Sequence, residues 1–149
     1  MAPAAPRRLL IGSARLQAPV VPVGDRGDGQ LALPEDPRTV GWWVGSAAAG
    51  DPRGSTVLAG HVDSASRGLG ALAVLRTLPV GTAVVLVDAF GARHPYRVAA
   101  RRSYPKTALP HDVLHPGHVP RLTLITCGGP FDQAGHSYRD NLVVYAVPA

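Results

Sequence analysis

The chain has 149 residues, 46% of them hydrophobic and 17% charged, enough for one globular domain that buries a core without disulfides or metal. A single cysteine, Cys127, excludes an intramolecular disulfide and every multi-cysteine zinc pattern. The net charge of +5 comes mainly from arginine, against one lysine (Lys106). The arginines are scattered and no stacking aromatics interleave them, so a nucleic-acid partner is not expected. No segment has the length of a transmembrane helix or the make-up of a signal peptide, and residues 1–7 read as a flexible lead-in.

Fifteen prolines and seventeen glycines punctuate short apolar runs, the texture of an all-β barrel or sandwich. Arg8–Ile11 and Pro19–Val23 predict the first strands, the second near an edge because prolines flank it. After a turn cluster at 24–29, Leu31–Leu33 resumes a strand. Thr39–Val44 adds another with Trp42 and Trp43, one expected in the core and one half-exposed. Thr56–His61 is a β-branched run that ends on a histidine. Leu69, Leu72, Leu75 and Leu78 recur every third residue and predict one short helix. Val80–Asp88 and Arg93–Ala100 predict a hairpin about residues 89–92. Arg102–Arg121 reads as a long loop, and such loops in compact domains tend to be functional. Leu122–Cys127 predicts a buried strand broken at once by Gly128-Gly129-Pro130. A loop to Asp140 and a last strand, Asn141–Val147, complete the chain, with no repeat and no linker.

The chemistry centres on Cys127. A lone cysteine is often a small buried hydrophobe, but a thiol at a strand end beside flexible backbone can also meet a substrate. A nucleophilic thiolate needs a base or cationic surroundings, and histidine is its usual partner. Of six histidines, His61 stands out because it too ends a strand, and two strand ends at one rim of a barrel bring side chains together. A capped loop histidine remains the alternative. His111, His115 and His118 have no accompanying carboxylate or cysteine set, and Pro116 keeps them off one helical face, so no metal site is expected. Acyl transfer also needs a fixed positive donor for the oxyanion. Arg139, ahead of the last strand, is a candidate, or else a solvated edge residue.

Three segments resemble one family. Thr123-Leu124-Ile125-Thr126-Cys127 is similar to the nucleophile signature of sortases, Leu58-Ala59-Gly60-His61 to their histidine segment, and Arg139 before Asn141-Leu142-Val143-Val144 to their arginine. Gly41-Trp42-Trp43, the Gly-His-Val-Asp segment and the Thr-Cys-Gly-Gly ending are most similar to actinobacterial class F sortases, with class E as neighbour. The resemblance runs from about Leu31 to the C-terminus. It implies a mainly β fold, a single closed eight-stranded barrel with one or two short helices. It also implies a cysteine transpeptidase that cleaves a Leu-Pro-x-Thr-Gly-like sorting signal between Thr and Gly and passes the acyl group to a cell-wall amine. Cys127 would be the nucleophile, His61 the general acid and base, and Arg139 the oxyanion and backbone clamp. Ala59, Thr123 and Ile125 would line the substrate groove, with Thr126 beside the oxyanion site. No cofactor is implied. Arg102–Arg121 offers only Asp112 as a carboxylate, too few oxygen ligands for the calcium that some sortases bind. The full-length protein would be anchored outside the cell membrane, its tether absent here.

Two other readings are weighed. L,D-transpeptidases also pair cysteine with histidine but expect a Ser-x-Gly-Cys context, which Thr126-Cys127-Gly128 does not match. The non-enzymatic reading is a basic β-barrel that binds cell-wall polymer, its thiol incidental.

Overall fold

The computed structural model describes residues 3–24, 32–61, 63–64, 68–105, 110, 113, 117–132 and 137–149; at 63, 64, 68, 127–132 and 137–139 it is described by its backbone. Ten strands follow in chain order: β1 (Pro6–Ile11), β2 (Leu16–Val23), β3 (Val40–Trp43), β4 (Ser55–Ala59), β5 (Asp63–Ser64), β6 (Gly68–Leu69), β7 (Ala83–Asp88), β8 (Arg93–Pro105), β9 (Arg121–Asp132) and β10 (Ser137–Pro148). Eight of them close a barrel in the order β1-β2-β3-β4-β9-β10-β8-β7, and β5 and β6 form a small separate hairpin. Pairing is antiparallel except for β2 with β3 and β4 with β9. The expected closed eight-stranded barrel is therefore observed, and its helices are two short 3₁₀ segments, Gly12–Ala14 and Ala71–Arg76.

Side-chain alternation explains the closure. Leu9 and Ile11 of β1, Val84 and Leu86 of β7, Tyr96 and Val98 of β8, and Leu142, Val144 and Ala146 of β10 all turn into one core. Arg93 and Arg97 alternate with them outward. Leu72, Leu75 and Leu78 pack into the same core from the 3₁₀ helix and the residues just after it. β4 is buried at every position. Leu58 enters the barrel core, while Val57 and Ala59 join Ile125, Val143 and Val113 in a second cluster, edged by Leu33, Trp43, Tyr104 and Tyr145. That double burial is why the β4 and β9 runs are continuously apolar.

Several expectations change. β2 is not near an edge: it lies between β1 and β3, and Pro19 and Pro22 sit within its ladders. Residues 32–35 form no strand, and Leu31 lies outside the described residues. Leu69 is exposed in β6 and not part of the helix, whose period-three leucines begin at Leu72. Trp42 packs on the barrel core and Trp43 on the second cluster, both half-buried. β8 runs on to Pro105, into the segment read as loop. Gly128-Gly129-Pro130 does not end β9. The register steps from Asp140↔Gly128 to Tyr138↔Phe131, so Gly129 and Pro130 together oppose Arg139 in a bulge. A bulge is one of the few sheet positions that proline accepts. At the N-terminus, Ala4 bridges Ala49, and Pro6 and Arg7 already belong to β1.

The turn after β7 is held by a buried carboxylate. Asp88 Oδ1 accepts the backbone N–H groups of Phe90 (2.9 Å) and Ala92 (3.0 Å), and Oδ2 lies 2.7 Å from His94 Nε2. The hydrogen bond from His94, helped by the two amides, holds the Asp88 carboxyl below its ordinary 3.8 despite burial. A depressed folded-state value means that the carboxylate stabilises the fold above pH 3.8 and loses this contribution as pH falls below it. Asp88→Asn is accordingly expected to lower the thermal midpoint at pH 7. Scans between pH 7 and 2 should show the gap to wild type closing below about pH 4; a constant gap would mean that the charge is immaterial.

Candidate active site

The parallel ladder of β4 and β9 assembles the site. Its register runs from Ser55↔Arg121 to Ala59↔Ile125. Beyond the last pair, Gly60 N–H donates to the Ile125 carbonyl at 3.1 Å, and Thr126 Oγ1 donates to the Gly60 carbonyl at 2.8 Å. The two segments thus stay locked one residue past the strand, at Gly60 and Thr126, and His61 and Cys127 are the next residues along each. On the other flank of β9, Cys127 pairs with Asn141 and Gly128 with Asp140. Arg139 follows in the bulge. The backbone therefore brings positions 61, 127 and 139 to the same end of three adjacent strands, β4, β9 and β10.

His61 lies two residues beyond β4, is half-buried, and has its Nε2 2.8 Å from the Pro34 carbonyl. A carbonyl oxygen only accepts, so Nε2 carries the hydrogen and donates it, and in the neutral ring Nδ1 is left as the acceptor. Behind His61 the chain is crowded. A Cβ on Gly70 would overlap the His61 carbonyl oxygen, with the His61 carbonyl carbon at 2.7 Å and the Pro37 carbonyl oxygen at 3.0 Å. Gly70 has an ordinary extended backbone (φ −84°), so it is the missing side chain, not a special dihedral, that the packing uses.

The groove candidates divide by environment. Ala59 and Ile125 lie on the outer second cluster, at 4% and 9% exposure. Thr123 is buried between β4 and β9, its hydroxyl 2.6 Å from that of Ser55. Thr126 is buried, and its hydroxyl is engaged by Gly60. His118 is exposed; His111, His115 and Asp112 lie outside the described residues. Pro34 and Gly70 belong to the site and were missed in the sequence, because neither a backbone carbonyl nor a void for a carbonyl has a residue signature.

Residues 9–149 match the family model of the Sortase domain. Among solved structures, sortase A from Corynebacterium diphtheriae (a lid mutant) superposes with a TM-score of 0.72 at 20% identity, covering 100% of this chain and 72% of that one. Sortase C1 from Streptococcus agalactiae gives 0.72 at 19% identity, covering 96% and 66%. Sortase C from Clostridium perfringens SM101 gives 0.69 at 16%, covering 95% and 68%. No curated protein matches the chain. The fold is that of the β-barrel cysteine transpeptidases. The chain belongs to the sortase family, which acts on surface proteins that carry sorting signals.

Proposed function

We propose that this sortase cleaves a Leu-Pro-x-Thr-Gly-like signal between Thr and Gly through Cys127, and transfers the acyl group to a cell-wall amine outside the membrane. The observation that supports the reading is the β4–β9 ladder, paired to Ala59↔Ile125 and held one step further by Thr126 and Gly60, with β10 along the other flank of β9 and Arg139 opposite Gly129 and Pro130. Among the described residues no helix is long and apolar enough to cross a membrane. An anchor on the full-length protein follows from the family resemblance, and assignment to class F with class E as neighbour rests on the sequence motifs.

Cys127, its proton passed to His61, attacks the threonine carbonyl carbon, and Arg139 stabilises the oxyanion. Collapse breaks the Thr–Gly bond as His61 gives that proton to the leaving amine, and a thioester remains. An incoming amine then attacks the thioester, His61 takes its proton, and the Cys127 thiolate leaves. Because Nε2 is held by Pro34, the travelling proton is the one on Nδ1. Ala59 and Ile125 give the groove an apolar floor suited to a Leu-Pro anchor, and Thr123 supports that floor from its buried position against Ser55. Thr126 adjoins the oxyanion site while its hydroxyl keeps Gly60, and hence His61, in register.

The test is a panel of Leu-Pro-x-Thr-Gly peptides, varied at each position, incubated with a glycine-based amine and read by mass spectrometry. At least one signal is expected to yield the amine-exchanged product cut after Thr. Cleavage at another bond, or none across the panel, would overturn the assignment.

A further inference from the structure

Gly70, which packs on the His61 carbonyl, also lines an open cavity of about 310 Å³. Leu16, Leu69 and Val74 give the cavity apolar walls, and Arg15 and Arg38 supply two cations; no acidic side chain lines it among the described residues. Arg38 ends the same loop that holds His61 through Pro34, and the Pro37 carbonyl accepts the Ala71 N–H at 2.8 Å beside Gly70. One short segment therefore touches the catalytic histidine and the cavity wall. Arg38 already has Asp36 at 3.6 Å. Arg15 is different: its side chain makes no hydrogen bond or ion pair among the described residues. It is also the one non-glycine residue with positive φ among them (54°), a conformation that glycine would adopt without strain. The turn accounts for this φ, since the Arg15 N–H closes it on the Gly12 carbonyl at 3.0 Å; it is the exposed guanidinium in the cavity wall, uncommitted among the described residues, that points to a use.

We propose that this cavity binds the amine acceptor, and that the acceptor is a short peptide bearing a carboxylate. The inference rests on the sortase reading above. Arg15, with Arg38, holds the carboxylate in the planar two-point geometry that guanidinium favours. The apolar walls take the stem, the amine leaves through the open mouth of the cavity towards Cys127, and His61 takes its proton.

The experiment compares transfer to Gly-Gly with a free C-terminal carboxylate and to Gly-Gly amide, in wild type, Arg15→Gly and Arg38→Gln. Arg15→Gly removes the guanidinium and relieves the positive φ, so its fold is secure. Wild type is expected to show an acceptor KM about tenfold lower for the carboxylate than for the amide. In Arg15→Gly the ratio should fall to about one, and in Arg38→Gln to an intermediate value, because Asp36 already shares that cation. Equal KM values in wild type, or a preference that survives Arg15→Gly, would overturn the acceptor site. Cleavage of the sorting peptide after Thr by wild type, whether by transfer or hydrolysis, separates this from failure of the sortase reading: without any cleavage both fall, with it only the acceptor site is at stake.

Discussion

Cys127→Ala is expected to lower transfer of a sorting-signal peptide by at least about 10³-fold, and to abolish the acyl adduct altogether. The barrel should be untouched, because position 127 meets β10 through backbone pairing with Asn141, which alanine keeps. Cys127→Ser tests the same point more finely. A hydroxyl in that place lacks the ready ionisation of a thiol, so the serine variant should sit near the alanine one. His61→Ala should fall into the same range, and the double variant should lose little more, since residues that act as a unit are not additive. Activity in Cys127→Ala above a hundredth of wild type would place the chemistry elsewhere and leave the binding-module reading in front.

Outside the reacting residues themselves, Gly70→Ala should have the largest effect. The new methyl would overlap the His61 carbonyl, so either the 3₁₀ helix that begins at Ala71 or the His61 backbone must move. Leu72 and Leu75 tie the helix to the barrel core, so the movement falls on His61. Displacing one catalytic group by about 1 Å costs on the order of 10²-fold. Gly70→Ala should therefore lose about that much activity while its thermal midpoint drops only modestly. Gly12→Ala is the matched control: a Cβ there meets nothing within 4 Å, and activity should be retained. Full activity in Gly70→Ala would mean that His61 does not depend on this packing.

What could be read from residues follows the physics of local signals. The β4 and β9 runs announce themselves because both faces are buried and β-branched residues suit them, and the hairpin about Phe90 because alternation flanks a turn. Cys127, His61 and Arg139 were legible as candidates from motif and order, and the placing of their backbone at one barrel end follows from β4 and β10 flanking β9. Non-local choices were hidden. Gly-Gly-Pro reads as a terminator on its own, yet β10 supplies a partner strand and the break becomes a bulge opposite Arg139. Prolines marked β2 as an edge, although barrel closure leaves it none. Leu69 shares the period of the helix but falls one residue before its Gly70 cap, in a hairpin with Asp63. The Pro34 carbonyl, which sets the tautomer of His61, carries no signal in residue identity at all.

The measurement that bears most directly on the central claim is the intact mass of the wild-type protein after brief exposure to a reactive sorting-signal peptide without amine, beside Cys127→Ala. Wild type is expected to carry an adduct equal to the peptide truncated after its threonine, released by hydroxylamine as a thioester should be, and the alanine variant none. An adduct of the same mass on Cys127→Ala, or peptide cleavage by wild type with no route through Cys127, would contradict it.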